Sequence, residues 1–408
     1  MQVRKAAIEC IAQVFHESVK ADVAMQRAGH CFELRERKLL HEYVYGVLRH
    51  CYSLEADFSR FCKAKPDATA YAALAVGTYQ LRSMRVPSYA AVSGTVAAMQ
   101  QLNPKAAGFV NAVLRRVSEH EAPKKLKPNQ RAELPRWMYA AWRDAFGADV
   151  VRGFCDALKQ PPKLCLAVFV ERQSWMAQVQ AMGIPVEAGE LSPYAVLLPA
   201  GSDVVTLPGF EAGDFTVMDQ AAQAAVMALD LPDSCDGLIL DLCAAPGGKT
   251  ALLAHRFAHA RIIAVEFNAK RMPRLQENLS RLHCGNVHVL QADAMRLPFE
   301  ENSIDALFLD APCSASGILR RHPDAKLLQN PEAVEKLAGL QVQMLDESLR
   351  TLKAGSSMVY GVCSIHPQEN EQVLASLHET HQQEGVQRLF PAVDHDGFFY
   401  AAISKTAL

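Results

Sequence analysis

The chain has 408 residues and a net charge of −2, with 50% hydrophobic and 21% charged residues. It is too long for one ordinary domain and apolar enough for more than one core. No run of 18 apolar residues and no signal-like apolar N-terminal region occur, which argues against a membrane or secreted protein and for the cytoplasm; eleven cysteines without a C-x-x-C pair read as free thiols, with no metal site expected.

In chain order, residues 1–122 read as a helical domain. In "VRKAAIECIAQVF", Ala7, Ile11, Val14 and Phe15 fall on one stripe at helical spacing and should face a core. "YAALAVGTYQLRSM" and "AAGFVNAVLRRV" continue the helical character, with Pro87, Pro104 and Pro123 as breaks. Residues 1–150 hold 22 basic and 14 acidic side chains, and the remainder 20 and 30. The excess is densest at Arg82, Arg85, Lys105, Arg115, Arg116, Lys124, Lys125 and Lys127. Such a surface suits phosphate neutralisation, although an ordinary solvated helix face has the same composition. Residues 123–160 read as a linker and one helical stretch, and 161–212 as a small α/β piece with strands in "KLCLAVFV" and "YAVLLPA".

Residues 213–408 alternate short apolar strands with helices, the pattern of a parallel, doubly wound, Rossmann-like sheet. "LDLCAAPGGKT" (240–250) lies at its first strand end. The ending suggests a phosphate-binding loop, but the first required glycine is replaced by Cys243, whose Cβ disfavours the backbone that such a loop needs. What remains is a strand, a Gly-rich turn and a helix N-terminus, a place for a small ligand with or without phosphate. In such sheets ligands lie beyond the carboxyl ends of the strands. Successive ends present Gly247-Gly248, then Glu266 (suited to ribose hydroxyls), Asp293, Asp310 with Cys313, and Cys363-Ser364. Any one of these acids reads more readily as a helix cap or surface carboxylate; together they suggest a site.

"LDLCAAPGGKT", "DAPCSASGILRRHPD" and "YGVCSIHPQENEQV" together resemble the RNA cytosine-5 methyltransferase family, which uses S-adenosylmethionine, and within it the bacterial 16S rRNA methyltransferase B type. The first 120 or so residues resemble the helical RNA-binding domain of the antitermination factor NusB, which that type carries. The resemblance implies that Cys243, Ala244, Ala245, Pro246, Gly247, Gly248 and Lys249 hold the methionine part of the cofactor. It places Glu266 on the ribose, Asp293 near the adenine, and Asp310 between cofactor and target base.

Cytosine C5 is too weak a nucleophile to accept a methyl group until a thiolate has added to C6. The resemblance makes Cys363 that nucleophile and Cys313 the group that assists product release, with Asp310 hydrogen-bonding the base. The rival assignment puts the attack on Cys313, because DNA cytosine methyltransferases use a Pro-Cys nucleophile. Two positions depart from the family pattern: Val362 stands where Thr is usual, and Leu166-Ala167-Val168 where many relatives have Arg-x-Asn. Arg271, Arg320, Arg321 and Lys326 are further basic candidates near the site; Arg320-Arg321 would face RNA phosphates or form a solvated helix end. The target base must be unpaired or flipped. The expectation is a monomeric rRNA-modifying enzyme without a membrane partner. The alternatives are an RNA-binding or ribosome-assembly factor with a silent methyltransferase domain, and the same chemistry on tRNA.

Overall fold

The computed structural model describes residues 2–378 and 381–406 and falls into two compact units. The first takes in the chain up to Gln160 together with Leu319–Asn330; the second comprises Pro161–Ile318 and the chain from Pro331 onward.

The first unit is helical. It runs through α1 (Gln2–Glu17), α2 (Ala21–Gly29), α3 (Leu34–Arg49), α4 (Cys51–Ser59), α5 (Ala68–Ser83), α6 (Ser88–Leu102) and α7 (Pro104–Glu119), then α8 (Pro128–Arg131), α9 (Arg136–Phe146) and α10 (Ala148–Leu158). Ala7, Ile11 and Val14 are buried, and Phe15 packs at the edge of the same core. Asp67 caps α5 by accepting from the Ala70 N–H at 2.8 Å, and Pro104 opens α7, where its missing N–H costs nothing. The single helical stretch expected before residue 160 is two helices, because Gly147 takes φ 83° and breaks the hydrogen-bond ladder there. This stretch clusters with the helical unit rather than standing as a separate piece.

One of the expected basic groups has an internal task. Arg82 pairs with Asp57 at 2.6 Å and donates to the carbonyls of Val117 and His120, so it closes the C-terminus of α7. Arg85, Lys105, Arg115, Arg116, Lys125 and Lys127 remain exposed.

The second unit holds two sheets. The smaller has the order β2-β3-β1-β4, all antiparallel, from β1 (Leu164–Val168), β2 (Glu187–Ala188), β3 (Ala195–Leu198) and β4 (Phe215–Val217). Helix α11 (Arg172–Ala181) packs Trp175 against Phe215 of β4. The boundary expected at residue 212 is therefore too early, since the small sheet runs on to Val217. Leu166, Ala167 and Val168 are buried apolar residues of β1 and offer RNA no polar group.

The larger sheet contains β5 (Leu238–Leu242), β6 (Arg261–Glu266), β7 (Val287–Gln291), β8 (Ile304–Asp310), β9 (Leu352–Val362), β10 (His381–Leu389) and β11 (Phe398–Lys405) in the order β10-β11-β9-β8-β5-β6-β7. The expected parallel pairing holds for β5 to β9, whereas β10 and β11 form an antiparallel edge, so the sheet is mixed. Helix α12 (Gln220–Met227) precedes β5; α13 (Gly248–Arg256) and α14 (Met272–Arg281) connect β5 to β6 and β6 to β7. The β8–β9 crossover contains α15 (Ala325–Leu328) and the long α16 (Pro331–Thr351); α17 (Glu371–Leu374) follows β9. Because β5 is flanked by β6 and β8, the strand order reverses beside it, and such a switch point leaves a ligand crevice at its carboxyl end. No helix of the described residues is long and apolar enough to cross a membrane.

Part of the β8–β9 crossover, Leu319–Asn330, folds into the helical unit. Arg49 donates to the Arg320 carbonyl at 3.1 Å, and Asp324 accepts from the Ala21 N–H at 3.0 Å. Lys326 donates to the carbonyls of Glu133 (2.8 Å) and Arg49 (3.1 Å). Arg320 is 1% exposed, which corrects the expectation that it faces RNA phosphates or solvent; Lys326 is 4% exposed, whereas Arg321 is half-buried. Periodicity could not show this, because the partners lie some 200 to 300 residues away in sequence.

Candidate functional site

The loop after β5 is fixed by its neighbours. Ala244 N–H donates to Val265 O at 3.0 Å, Gly247 N–H to Ala244 O at 2.8 Å, and Asn278 Nδ2 to Pro246 O at 2.8 Å. Gly247 takes φ 101°, a conformation that favours glycine, and a Cβ there would stand 2.9 Å from Leu275 Cδ1 and force that methyl to shift. Cys243 takes φ 62°, the left-handed backbone that its Cβ was expected to resist. The surrounding hydrogen bonds thus hold it against a strain of roughly 1–2 kcal/mol. The missing glycine alone was not decisive against a phosphate loop.

Beneath the loop, Asp241 is fully buried; Thr250 donates to its Oδ2, and its Oδ1 has no partner. Burial pushes its pKa up to about 7, with the Thr250 hydrogen bond opposing and Asp310 adding to the rise. The folded state therefore holds a proton that the unfolded chain, with a carboxyl near 3.9, releases earlier. Stability is expected to fall as pH rises from about 4 to about 7, by up to about 4 kcal/mol. Asp241→Asn should flatten this dependence, as read from denaturation midpoints at pH 5 and pH 8.

Glu266 ends β6 and is 4% exposed. Its Oε1 accepts from Asn268 N–H at 2.9 Å, its Oε2 from Ala245 N–H at 3.3 Å, and Arg271 lies 3.2 Å from Oε2. Arg271 also donates to Ala245 O, so it braces the loop. Asp293 follows β7, whose Gln291 is in register with Glu266, and caps the Met295 N–H at 2.9 Å. Both acids thus stand at one edge of the sheet.

Asp310 ends β8, in register with Gly361 of β9. Lys249, from the first turn of α13, reaches it with Nζ–Oδ2 at 2.8 Å and lies over the Phe398 ring at 5.7 Å. Burial draws the Lys249 pKa down, but Asp310, with smaller contributions from Cys363 and Asp241, raises it above the ordinary value. Lys249 is therefore a lasting cation directed towards the cysteine loops.

Those loops meet because β8 and β9 are neighbours. Ala311 N–H donates to Gly361 O at 3.0 Å and Gly317 N–H to Cys363 O at 2.9 Å, and the two sulfurs, Cys313 Sγ and Cys363 Sγ, lie 3.3 Å apart. The Cys313 thiol is pushed well above the ordinary range by its hydrogen bond with Cys363, by burial, and by the charges of Cys363 and Glu369. A Cβ on Gly317 would stand 2.3 Å from Gly397 O and 3.0 Å from Cys363 O, both backbone atoms that cannot swing aside. Gly317→Ala should cost about 2–3 kcal/mol in a denaturant titration and disturb the thiol pair. Sequence reasoning missed Glu369, which lies under both cysteine loops. Its signal was an acid in an otherwise specific motif, which an apolar-periodicity reading treats as surface.

Residues 226–404 match the family model for the 16S rRNA methyltransferase RsmB/F, residues 1–119 the NusB family, and 134–205 the ferredoxin-like domain of RsmF/B-like methyltransferases. The chain is 35% identical to the ribosomal RNA small subunit methyltransferase B of Shewanella oneidensis, over 99% of each chain. The chain belongs to the 16S rRNA methyltransferase RsmB/F family. The corresponding protein of Vibrio vulnificus is likewise 35% identical, over 100% of both chains. The crystal structure of PH0851 has the same fold, with a TM-score of 0.80 at 22% identity, covering 98% of this chain and 99% of that one. Membership in the RsmB/F family makes the chain an S-adenosylmethionine-dependent rRNA methyltransferase.

The residues present fit that cofactor. Glu266 Oε1 carries one backbone hydrogen bond and keeps acceptor capacity for a diol, and a carboxylate row suits a cationic sulfonium and ammonium. The backbone of Gly247 admits close approach.

Proposed function

We propose that the protein methylates C5 of a cytosine in 16S rRNA through a transient bond between Cys363 and C6 of the base. The observation that carries this reading is the pair of sulfurs 3.3 Å apart at adjacent strand ends, beside the Lys249–Asp310 pair. A single nucleophile needs no second thiol. Two within contact suit a reaction that forms a covalent base adduct and must then dissolve it.

The roles divide by environment. The Cys313 thiol is held protonated by its hydrogen bond with Cys363, by burial and by the charges of Cys363 and Glu369. Cys363 contributes to the charge felt by Lys249 and so lies within that ammonium's field. Cys363 Sγ adds to C6, and the electron pair moves into the ring and makes C5 enamine-like. Asp310 hydrogen-bonds the base and favours a proton at N3, which makes C6 more electrophilic. S-adenosylmethionine, when bound, supplies an electrophilic methyl group. Transfer of the C5 proton to water then restores the ring double bond and expels the Cys363 thiolate, and Cys313 assists that release. In this reading Cys243 to Lys249 form the methionine side of the cofactor pocket, Glu266 takes the ribose and Asp293 the adenine. The exposed bases of α6–α7 and the following linker contribute the non-specific phosphate contacts. The rRNA substrate places the enzyme in the cytoplasm, and a monomer is the expected form.

RNA containing 5-fluorocytidine cannot lose a proton from C5, so the adduct should persist and migrate as a covalent RNA–protein complex. Bisulfite sequencing of rRNA and tRNA from a deletion strain should lose one 16S signal. Loss of a tRNA signal instead, or absence of any adduct with wild-type protein, would overturn the proposal.

A further inference from the structure

The loops bearing Cys313 and Cys363 follow different strands and are 50 residues apart in sequence, yet their sulfurs sit in contact. One side chain joins them. Glu369, fully buried, accepts from the Ser314 N–H at 2.8 Å and from the Ser314 hydroxyl at 2.5 Å, both in the residue after Cys313. The same carboxylate accepts from the Ser364 hydroxyl at 2.5 Å, in the residue after Cys363. Gln341 Nε2 from α16 bridges its Oε1 (3.1 Å) to the Pro312 carbonyl (2.8 Å), and Tyr360 OH donates to the Glu369 carbonyl at 2.7 Å. Ser316 completes the web, with its hydroxyl 3.0 Å from Ser364 Oγ and accepting from Ile365 N–H at 3.0 Å.

We propose that Glu369 is a positioning residue of the methyl-transfer reaction, a buried carboxylate that ties the two cysteine loops together and keeps the shared proton of the pair on Cys313. This rests on the two-cysteine reading above. The donors named here are all neutral, so the charge is not explained by an ion pair, and a buried charge is costly to keep. A tether alone would be served by a neutral amide. A negative charge has a further effect: it raises the Cys313 thiol and so helps keep it protonated, while the Lys249 ammonium interacts with the charge of Cys363. The opposed charges polarise the S–H···S contact in the direction the reaction needs.

The test uses the full-length protein with Glu369→Gln, which keeps size and most hydrogen bonds but removes charge, and Glu369→Ala, which removes both. Phenylarsine oxide reports the sulfur register without any RNA, because one arsenic must bridge two adjacent thiols. Wild type should form a bridge that peptide mapping places on Cys313 and Cys363. Glu369→Ala should lose the bridge at least about tenfold in rate, and Glu369→Gln should retain it. Both variants should lower kcat, Glu369→Gln by about 10- to 100-fold, with KM for RNA and affinity for S-adenosylmethionine within about twofold of wild type. If Glu369→Ala does not fold, Ser364→Ala, which cuts one tether, replaces it in the bridging assay. Wild-type kcat in Glu369→Gln, or a loss confined to KM, overturns the proposal. Absence of a 5-fluorocytidine adduct in wild type, with bridging intact, overturns the covalent reading instead and leaves the tether measurable by itself.

Discussion

Cys363→Ala is expected to abolish methyl transfer, with single-turnover rates at least about 10⁴-fold below wild type and no adduct on 5-fluorocytidine RNA, because removal of the proposed covalent nucleophile leaves only binding and electrostatics. Cys363→Ser should be nearly as inactive, since a hydroxyl far from neutral pKa and without an adjacent base cannot replace a thiolate. Cys313→Ala gives the contrasting phenotype: it should still attack but release slowly, so that an adduct accumulates even on unmodified RNA. The 3.3 Å contact makes this contrast informative, because two sulfurs so close together differ in environment more than in place. Denaturing gels with radiolabelled RNA measure both variants. An adduct that persists in Cys363→Ala and vanishes in Cys313→Ala would exchange the two roles.

The second large effect is expected at Asp310. Asp310→Asn should lower kcat by about 10²- to 10³-fold, a size typical for loss of a positioned charged group at a reaction centre. Asparagine keeps the shape but cannot stabilise a proton at N3 of the base, and it leaves Lys249 without its charge partner at 2.8 Å. The pH profile carries a separate sign. In wild type, Asp310 outweighs the burial that would otherwise draw the Lys249 pKa down. Without it, burial dominates, the Lys249 pKa falls, and an alkaline loss of activity moves to lower pH. With side chains 21% and 27% exposed, the pair is partly solvated, and the stability cost of breaking it should be only about 1–2 kcal/mol. Activity and stability therefore separate in this variant. An unchanged alkaline limb would show that Asp310 does not govern Lys249.

Much of the fold was legible because burial on a single element leaves a local trace. The strands β6 and β8 are largely apolar runs ending in an acid, β5 and the second half of β9 are apolar runs, and α1 shows its core stripe at helical spacing. The edge strand β10 was missed because its sequence HQQEGVQRL is polar and mostly exposed; it is a strand by virtue of pairing with β11, not of its own pattern. The small sheet was placed too short for a similar reason, since three residues of β4 join it only through registration with β1.

By itself, the amino-acid order determined which chemistry was available: a Gly-rich turn, acids at successive strand ends and two cysteines in distinctive motifs, each encoded in a short stretch of its own. Only the tertiary structure decided which of these meet. The adjacency of β8 and β9 brings Cys313 to Cys363, Lys249 turns to Asp310, and Glu369 lies beneath both cysteine loops. The same long-range packing withdraws Arg320 and Lys326 from any role as exposed RNA contacts by burying them in the helical unit. The reason is that periodicity reports how one element divides its faces between core and solvent, whereas the meeting of two loops depends on strand order, a property of the whole sheet that no local window contains.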